Sequence, residues 1–262
     1  MTKILAAAIV LSAFVAYNHP RDALSITQKR NGSKRLRPVV YLALGDSTGV
    51  GVGAKNGGYV ARLFARIEQT RPGSRLVNLC VSAAATADIL REQLEQASGT
   101  RPTVVTIGVG ANDLIQGIRE ESFARNLEDI IVRLRQQTSA PILLMNLPDI
   151  SLSPAVPTYM RESARRHIVA YNKRIAETAR RHRLPVVDLY SRSREFSEHP
   201  EFFSRDGIHP SDEGYEFWAK LIWPAVAKVV LHINVRRSAA GWAKISRAET
   251  SARKGETKDG PK

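Results

Sequence analysis

The sequence predicts an α/β protein built as a three-layer α/β/α sandwich around a five-stranded parallel sheet. Short apolar runs alternate along the chain with longer amphipathic segments, in the order βαβαβαβαβα. The apolar runs are almost continuous, which is typical of parallel strands covered by helices on both faces. This order predicts right-handed crossovers and a functional site at the carboxyl ends of the strands.

Each predicted strand is short, rich in leucine or β-branched residues, and followed by polar or glycine-containing residues. The predicted strands are 39–44, 75–80, 103–109, 142–146 and 185–189. The predicted helices are 59–69, 87–96, 123–137, 159–183 and 213–232. In the third helix, apolar residues recur at spacings of three and four and form one stripe that faces the core, made of Phe123, Leu127, Ile130, Ile131 and Leu134.

The segments outside this pattern are basic. The chain has 262 residues, 43% of them hydrophobic, which suffices for one core, so a single domain is predicted at 38–233. Much of the formal net charge of +14 lies outside it, in a basic linker at 21–37 and in a tail at 234–262 that is predicted to be disordered. This placement argues against a nucleic-acid enzyme. It leaves open a peripheral contact of the flanks with an anionic membrane or polymer.

The N-terminus begins with Lys3 and continues with an apolar run over 4–16. That run is shorter than the roughly 20 residues that span a bilayer, so it predicts a signal peptide or an N-terminal anchor at 1–20. The expected location is therefore periplasmic, secreted or membrane-anchored. The basic residues that follow favour a cytoplasmic flank, and a mis-assigned start would make the protein cytoplasmic.

The cysteine content and the absence of ligand clusters limit the chemistry. Cys80 is the single cysteine, so no intramolecular disulfide forms, and its apolar surroundings favour a buried hydrophobic role. No Cys and His cluster has the spacing of a zinc site, and no glycine-rich loop has the Walker pattern. The sequence therefore predicts neither a metal nor another cofactor. It carries no signal for the oligomeric state.

The first of three motifs with chemical potential reads Gly45-Asp46-Ser47-Thr48-Gly49 and follows the first predicted strand. A serine that a strand delivers into a glycine-bracketed turn exposes its hydroxyl above the sheet edge. A serine hydroxyl is a poor nucleophile unless a neighbouring base activates it. Alone, the motif fits equally well a turn serine that caps the next helix.

The second motif, Asp206-Gly207-Ile208-His209-Pro210, lies just before the last predicted helix. A spacing of three residues through a glycine turn lets Asp206 accept a hydrogen bond from Nδ1 of His209. The Nε2 atom is then free to act as a general base toward a serine. Alone, the motif is equally compatible with two loop residues ahead of a helix.

The third motif, Gly110-Ala111-Asn112-Asp113, follows the third predicted strand. An asparagine at such a position can direct its side-chain amide at an oxyanion that develops during a reaction. A donor of this kind typically contributes about 3 kcal/mol to the transition state. An asparagine that caps the following turn is the alternative.

Together, the three motifs resemble blocks one, three and five of the SGNH (GDSL-type) hydrolases, in the same order and at the corresponding elements. The resemblance covers most of the chain and marks 38–233 as an SGNH hydrolase domain. It implies a flavodoxin-like three-layer fold and hydrolysis of carboxylic esters or thioesters. It also implies that Ser47 is the nucleophile, His209 the base and Asp206 its orienting residue. The oxyanion donors implied are Asn112 and the backbone amide of Ser47.

One position departs from the family pattern. The second block usually ends in a glycine whose backbone amide completes the oxyanion hole, and Ala83 occupies that position here. Its amide can still donate at a negative φ, whereas a positive φ would strain an alanine. We therefore include Ala83 as a third expected oxyanion donor.

The motif around Ser47 also satisfies the G-x-S-x-G pattern of the α/β-hydrolase nucleophile elbow. That elbow normally follows several strands, and the acid lies far from the histidine. Here the serine follows the first strand and Asp206 is three residues from His209. The order of the motifs therefore disfavours an α/β-hydrolase.

The leading functional prediction is a serine esterase or lipase that hydrolyses small-molecule or lipid esters through an acyl-enzyme on Ser47. The alternative, motivated by the predicted export, is an O-acetyl esterase or acetyltransferase of the cell envelope that acts on a carbohydrate. A third hypothesis is a vestigial site on a protein that binds an anionic surface. The presence of every polar residue of the three motifs in one chain argues against it.

The acyl site is the least specified part of the prediction. The segment 147–159 follows the fourth strand and either forms a pocket wall or packs as an ordinary loop. Its candidate lining residues are Leu152, Val156, Tyr159 and the adjacent Met160. His199, in the loop before the second motif, either lines the same pocket or is solvated. The chain length and the alcohol of the substrate are not predicted.

Overall fold

Five parallel strands form the centre of the molecule. The computed structural model describes residues 37–232. The strands are β1 (Val40–Gly45), β2 (Arg75–Asn78), β3 (Val104–Gly108), β4 (Ile142–Met145) and β5 (Val186–Val187). Their order across the sheet is β2-β1-β3-β4-β5, and each neighbouring pair is parallel. This is the flavodoxin-like order, so the predicted fold class is confirmed.

Helices connect the strands, as the alternation of apolar runs and amphipathic segments predicts. The helices are α1 (Ser47–Val50), α2 (Tyr59–Thr70), α3 (Thr86–Asp88), α4 (Leu94–Ala97), α5 (Ala111–Ile115), α6 (Glu120–Gln137), α7 (Thr158–His182), α8 (Ser193–Ser197) and α9 (Asp212–His232). A π-helical turn, Ile89–Gln93, joins α3 to α4. The five long helical segments were predicted within a few residues, whereas the short helices α1, α5 and α8 were not.

The sheet separates two apolar layers. On one face, Leu42 and Leu44 of β1 pack with α6 and α7, whose Phe123 and Tyr171 rings stack with centroids 4.6 Å apart. On the other face, Tyr41 of β1 packs with residues of α2 and α9. Successive residues of a strand point to opposite faces, so β1 contributes to both layers. The predicted α/β/α sandwich follows from this division.

Helix α6 buries the stripe that its sequence predicts. The five predicted core positions of this helix are each at most 2% exposed. Burying an apolar side chain of this size stabilises a fold by about 1.5–3 kcal/mol. The stripe therefore anchors α6 to the sheet.

Strand β5 is shorter than predicted because a side chain replaces its last ladder bonds. The run 185–189 was expected to be a strand, but its ladder pairing covers Val186–Val187 alone. The Oδ1 atom of Asn146 accepts the backbone amides of Leu189 and Tyr190 at 2.6 and 3.0 Å. These two bonds turn the chain away from the sheet and into α8.

The predicted leader or anchor at 1–20, linker at 21–37 and tail at 234–262 lie outside the described residues, apart from Arg37. Among residues 37–232, no helix is both long enough and apolar enough to cross a membrane. Those residues carry 25 Lys and Arg against 21 Asp and Glu, so +10 of the net charge of +14 belongs to the remaining segments.

Asp212 fastens the loop after α1 to the start of α9. Its carboxylate accepts the backbone amides of Lys55 and Asn56, each at 3.0 Å, and pairs with the Arg62 guanidinium at 2.7 Å. These donors, first the amide of Lys55, lower the pKa of Asp212 to about 2. The carboxylate therefore remains charged down to strongly acidic pH, and the loop stays attached.

We predict that Asp212→Asn lowers the free energy of unfolding at neutral pH by about 1–2 kcal/mol, because an uncharged amide offers one acceptor oxygen. The folded pKa lies below the unfolded value near 4, so this stabilisation is complete above about pH 4 and is lost as the pH falls through about 2. Urea unfolding should therefore show a difference from wild type that shrinks from about pH 5 to about pH 2.

The control is Glu216→Gln, which removes a pairing with Arg66 and a longer one, at 3.8 Å, with Arg62 but leaves the bonds of Asp212 in place. Exposed ion pairs contribute at most about 1 kcal/mol, so this variant should unfold close to wild type. An effect of Asp212→Asn that does not change with pH would contradict the assignment of its stabilisation to the ionised carboxylate.

Candidate active site

The end of β1 places Ser47. Asp46 caps the short helix α1, and Ser47 is the first residue of that helix. The Asp46 carboxylate accepts hydrogen bonds from the backbone amide and the hydroxyl of Thr48 at 3.0 and 2.7 Å. Burial raises the pKa of Asp46, and the bonds from Thr48 oppose that increase. Asp46 therefore holds the turn in place, and Ser47 lines the cavity described below.

Glycines permit the close packing around this turn. A Cβ at Gly45 would lie 2.3 Å from the carbonyl oxygen of Gly108, its partner on β3. A Cβ at Gly49 would lie 2.3 Å from the sulfur of Cys80. Cys80 is thus a packing residue beside the turn, as predicted, and burial raises the pKa of its thiol. A side chain at either glycine would push the turn out of position.

Gln93 holds the backbone of Gly45 from the side opposite β3. Its Oε1 accepts the Gly45 amide at 3.0 Å, and its Nε2 donates to the Gly45 carbonyl at 2.8 Å. Gln93 is the last residue of the π-helical turn and is 1% exposed. The extra residue of a π turn rotates the positions that follow it, and such turns are frequent at functional sites. The sequence analysis did not predict a role for Gln93. The one feature that could have indicated it is a polar residue among the apolar positions of an amphipathic helix.

The structure brings Asp206, His209 and Ser47 together in one hydrogen-bonded chain. Asp206 Oδ2 lies 2.7 Å from His209 Nδ1, and His209 Nε2 lies 2.9 Å from Ser47 Oγ. Asp206 Oδ1 also accepts the amides of Ile208 and His209, at 2.8 and 2.9 Å, and the Ser204 hydroxyl at 2.8 Å. An ionised Asp206 selects the histidine tautomer with its proton on Nδ1, so Nε2 faces Ser47 as an acceptor.

Local hydrogen bonding keeps Asp206 ionised. Partial burial by itself raises the pKa of Asp206. The bonds from the His209 ring, from the amides of Ile208 and His209 and from Ser204 outweigh this effect and hold the pKa well below its usual range. The negative charge next to Nδ1 of His209 therefore persists throughout the ordinary pH range.

The turn that carries His209 is fastened to the segment after β4. Gly207 adopts a left-handed conformation, with φ of 69°, which a glycine accepts without strain. Its carbonyl oxygen accepts the hydroxyl of Ser153 and, at 3.4 Å, the amide of Ala155. The segment between β4 and α7 therefore contacts the turn directly.

Asn112 lies in the first turn of α5 and is held there by a neighbouring loop. Its Nδ2 donates to the carbonyl of Ala84 at 3.1 Å, and the residue lines the same cavity as Ser47. Next to it, the buried Asp113 carboxylate accepts the amide and the hydroxyl of Thr86. These bonds join the start of α3, and the loop before it, to the first turn of α5. The second hydrogen on Asn112 Nδ2 remains available to another acceptor.

Ala83 has the conformation that the sequence analysis associated with strain. Its φ is 64°, in the left-handed region, where a non-glycine residue costs roughly 1–2 kcal/mol. It precedes Ala84, the acceptor for Asn112, but it is not among the residues that line the cavity. The structure thus groups Asn112 with Ser47 and His209 around one cavity and leaves Ala83 at its periphery.

A cavity of about 200 Å³ opens beside Ser47. Its wall is largely apolar and draws on the ends of β3 and β4, the segment after β4, and α8 and α9. The apolar lining residues are Val109, Ile115, Met145, Leu147, Ile150, Leu152, Leu189, Phe196, Phe203, Phe217 and Trp218. The hydroxyl of Ser47 therefore faces a compartment that suits an apolar group.

The segment 147–159 forms part of this wall in a different way from the one predicted. Leu152 lines the cavity, whereas Val156, Tyr159 and Met160 do not, and Tyr159 is 85% exposed. Helix α7 begins at Thr158 and carries the last two residues outward. His199 also lies outside the wall. Its side chain is 48% exposed, pairs with Glu201 and stacks on Phe202.

Comparison with known proteins agrees with this arrangement. Residues 43–217 match the family model of the GDSL-like lipase/acylhydrolase family, which spans the three motifs and the sheet. The chain belongs to this family. As a family member it is a carboxylic ester hydrolase, which confirms the class of enzyme that the motifs predicted.

Individual relatives include lipases and esterases. The spore germination lipase of Bacillus licheniformis is 27% identical over 203 residues, covering 67% of this chain and 91% of that protein. A catalytic mutant of an acetylxylan esterase from Geobacillus stearothermophilus superposes with a TM-score of 0.60 at 19% identity, over 72% of this chain and 94% of that one. A lipolytic G-D-S-L protein from Veillonella parvula superposes with a TM-score of 0.57 at 16% identity, over 70% and 95%. The two structures show the shared fold.

We predict that Gln93→Leu lowers kcat for ester hydrolysis by about 10-fold and the free energy of unfolding by about 2 kcal/mol. Leucine leaves the buried amide of Gly45 without a partner and leaves its carbonyl with the amide of Val81 alone, at 3.2 Å, which is costly and loosens the turn that carries Ser47. Steady-state kinetics and urea unfolding measure the two effects. Gln96→Leu, an exposed position on the same helical segment, is the control. Wild-type kcat in Gln93→Leu would show that catalysis does not depend on this contact.

Proposed function

We propose that the protein is a serine esterase that forms an acyl-enzyme on Ser47, with His209 as the general base and Asp206 as its orienting carboxylate. The observation that carries this proposal is the continuous hydrogen-bond chain from Asp206 through His209 to Ser47 Oγ, with links of 2.7 and 2.9 Å. A nucleophile, a base and an orienting group in that sequence are what activates a serine hydroxyl.

The proposed reaction has two halves. In the first, His209 Nε2 takes the Ser47 proton as Oγ attacks the ester carbonyl, and the imidazolium then protonates the departing alkoxide to release the alcohol. In the second, His209 takes a proton from water, whose oxygen attacks the acyl-enzyme, and Ser47 regains its proton as the acid leaves. The charge of Asp206 stabilises the imidazolium in both halves.

Three donors are proposed for the oxyanion that forms in each half. The amide of Ser47 belongs to the first turn of α1, where backbone amides have no partner within the helix. The Asn112 side chain is oriented by Ala84 and lines the same cavity. The Ala83 amide remains the third proposed donor, at the position where the family has glycine. Such donors act by being in place before the charge develops.

The size and the apolar lining of the cavity favour an acyl group of medium length. An engineered protein cavity of roughly 150 Å³ with an apolar lining accommodates benzene, so about 200 Å³ exceeds the volume that six carbons need. An acetyl group would leave most of this space unfilled. We therefore favour medium-chain acyl esters over the O-acetyl carbohydrates that the sequence analysis left as the alternative.

We predict that Ser47→Ala and His209→Ala each abolish hydrolysis of p-nitrophenyl hexanoate by the purified full-length chain, with kcat lower by at least about 10³-fold. Asp206→Asn should lower kcat by a similar factor, because an amide that donates to the imidazole favours the wrong tautomer. His199→Ala is the matched control, since it removes a histidine from outside the cavity. Retention of turnover in Ser47→Ala would refute the mechanism.

We predict that kcat/KM rises by at least about 10-fold from p-nitrophenyl acetate to the hexanoate, since each buried methylene contributes roughly 0.8 kcal/mol. Laurate should be a poorer substrate than hexanoate, because its chain exceeds the cavity. Leu152→Trp, which narrows the cavity, should shift the optimum to shorter chains. Met160→Trp adds the same bulk outside the cavity and should leave the optimum unchanged. Highest activity on acetylated sugars would favour the carbohydrate alternative.

A further inference from the structure

One wall of the cavity contains a buried hydroxyl group that is not hydrogen-bonded. The side chain of Tyr59 is 1% exposed, and its hydroxyl oxygen has no hydrogen-bond partner among the described residues. Buried polar groups in folded proteins are nearly always paired, so an unpaired one calls for an explanation. A ligand that brings its own acceptor is one such explanation.

The other buried tyrosines of the described core show how unusual this is. The hydroxyl of Tyr41 bonds to Thr106 Oγ1 at 2.8 Å, and that of Tyr215 donates to the Val52 carbonyl at 2.8 Å. Tyr171 donates to the carbonyl of Ile118. Each of these three tyrosines therefore has a hydrogen-bond partner within the protein. Tyr59 alone combines a buried, unpaired hydroxyl with a position on the cavity wall.

Two residues of the cavity wall pack closely against this hydroxyl. Tyr59, Gly108 and Met145 all line the cavity. A Cβ added to Gly108 would lie 2.9 Å from the Tyr59 oxygen and 2.5 Å from the terminal methyl of Met145. The absence of a side chain at Gly108 therefore lets the Tyr59 hydroxyl and Met145 lie against β3, and the flexible thioether of Met145 is the group that shifts to admit a ligand atom.

The neighbouring polar groups on the wall are already engaged. The Asp46 carboxylate is bonded to Thr48, and the side chain of Asn146 is bonded to Asp188 and to the amide of Leu189. Burial raises the pKa of Tyr59 well above its usual range, so the group remains a protonated donor. An acceptor that enters the acyl cavity would therefore find an uncommitted donor at Tyr59.

We propose that the Tyr59 hydroxyl donates a hydrogen bond to an oxygen atom within the acyl chain of the substrate, so that the enzyme prefers esters of oxygenated acyl chains. This inference rests on the proposed function, because it takes the cavity beside Ser47 as the acyl site. A site that hydrogen-bonds a substrate oxygen discriminates against the hydrocarbon analogue more strongly than an apolar pocket discriminates by size.

The test compares p-nitrophenyl hexanoate with three isosteres in which an ether oxygen replaces the methylene at position 3, 4 or 5. Each ester is measured with the full-length wild type and with Tyr59→Phe. The quantity compared is the ratio of kcat/KM for the ether ester to kcat/KM for hexanoate, because taking this ratio in both proteins cancels intrinsic reactivity. We expect the ratio for at least one isostere to be about 10-fold lower in Tyr59→Phe.

Tyr41→Phe is the matched control. It also removes one buried tyrosine hydroxyl, but this hydroxyl has a partner and lies outside the cavity. Its thermal midpoint should fall while its ratios stay at wild type. In Tyr59→Phe the thermal midpoint should not fall, because no hydrogen bond within the protein is lost.

Two failures are distinguishable. Ratios that agree within about twofold between wild type and Tyr59→Phe for all three isosteres would overturn the role of Tyr59 and indicate that the hydroxyl binds water. The proposed function would survive that result if hexanoate turnover still required Ser47. Absence of Ser47-dependent turnover of every ester would overturn the proposed function and this inference with it.

Discussion

The contact between the ends of β1 and β3 is the constraint on which the rest of the site depends. Gly45 and Gly108 approach so closely that a side chain on Gly45 would overlap the partner carbonyl. Gln93 completes the enclosure by bonding both backbone polar groups of Gly45. Gly108 and Gln93 together fix the position of Gly45 and the direction in which the chain leaves the sheet. Ser47 is two residues further along the chain. Backbone packing thus orients the proposed nucleophile, so no binding energy of the substrate is needed to place it.

The remaining polar groups of the site differ in how far apart they lie in the sequence. Asp206 and His209 are partners within one turn, so their geometry depends on local backbone conformation and on glycine at 207. The bond from His209 to Ser47 joins residues 162 positions apart and requires the whole sheet to be formed. Asp206 and His209 therefore form a local unit that tertiary folding brings to Ser47, the proposed nucleophile.

The same distinction explains what the sequence could and could not predict. The strands, long helices and three motifs were predictable because periodicity and short spacings encode them locally. Gln93 and Tyr59 were not, because their significance arises from Gly45 and Gly108, which are distant in the sequence. Of the candidate wall residues, Val156, Tyr159 and Met160 do not line the cavity, and α7, which begins at Thr158, carries the last two outward. For Ala83, the sequence showed that the sign of φ was decisive, and the φ of 64° places this residue in the strained, left-handed region.

The hydrogen bonds to the carbonyl of Gly207 connect two parts of the protein whose sequences could otherwise change independently. One part, the segment between β4 and α7, supplies wall residues such as Leu152. The other, the turn at 206–209, supplies the proposed base, His209. Exchange of the wall segment between homologues, whether in evolution or in the laboratory, would therefore disturb the position of His209 together with the fit of the substrate. Grafts that retain a hydroxyl at 153 should preserve turnover number while altering selectivity.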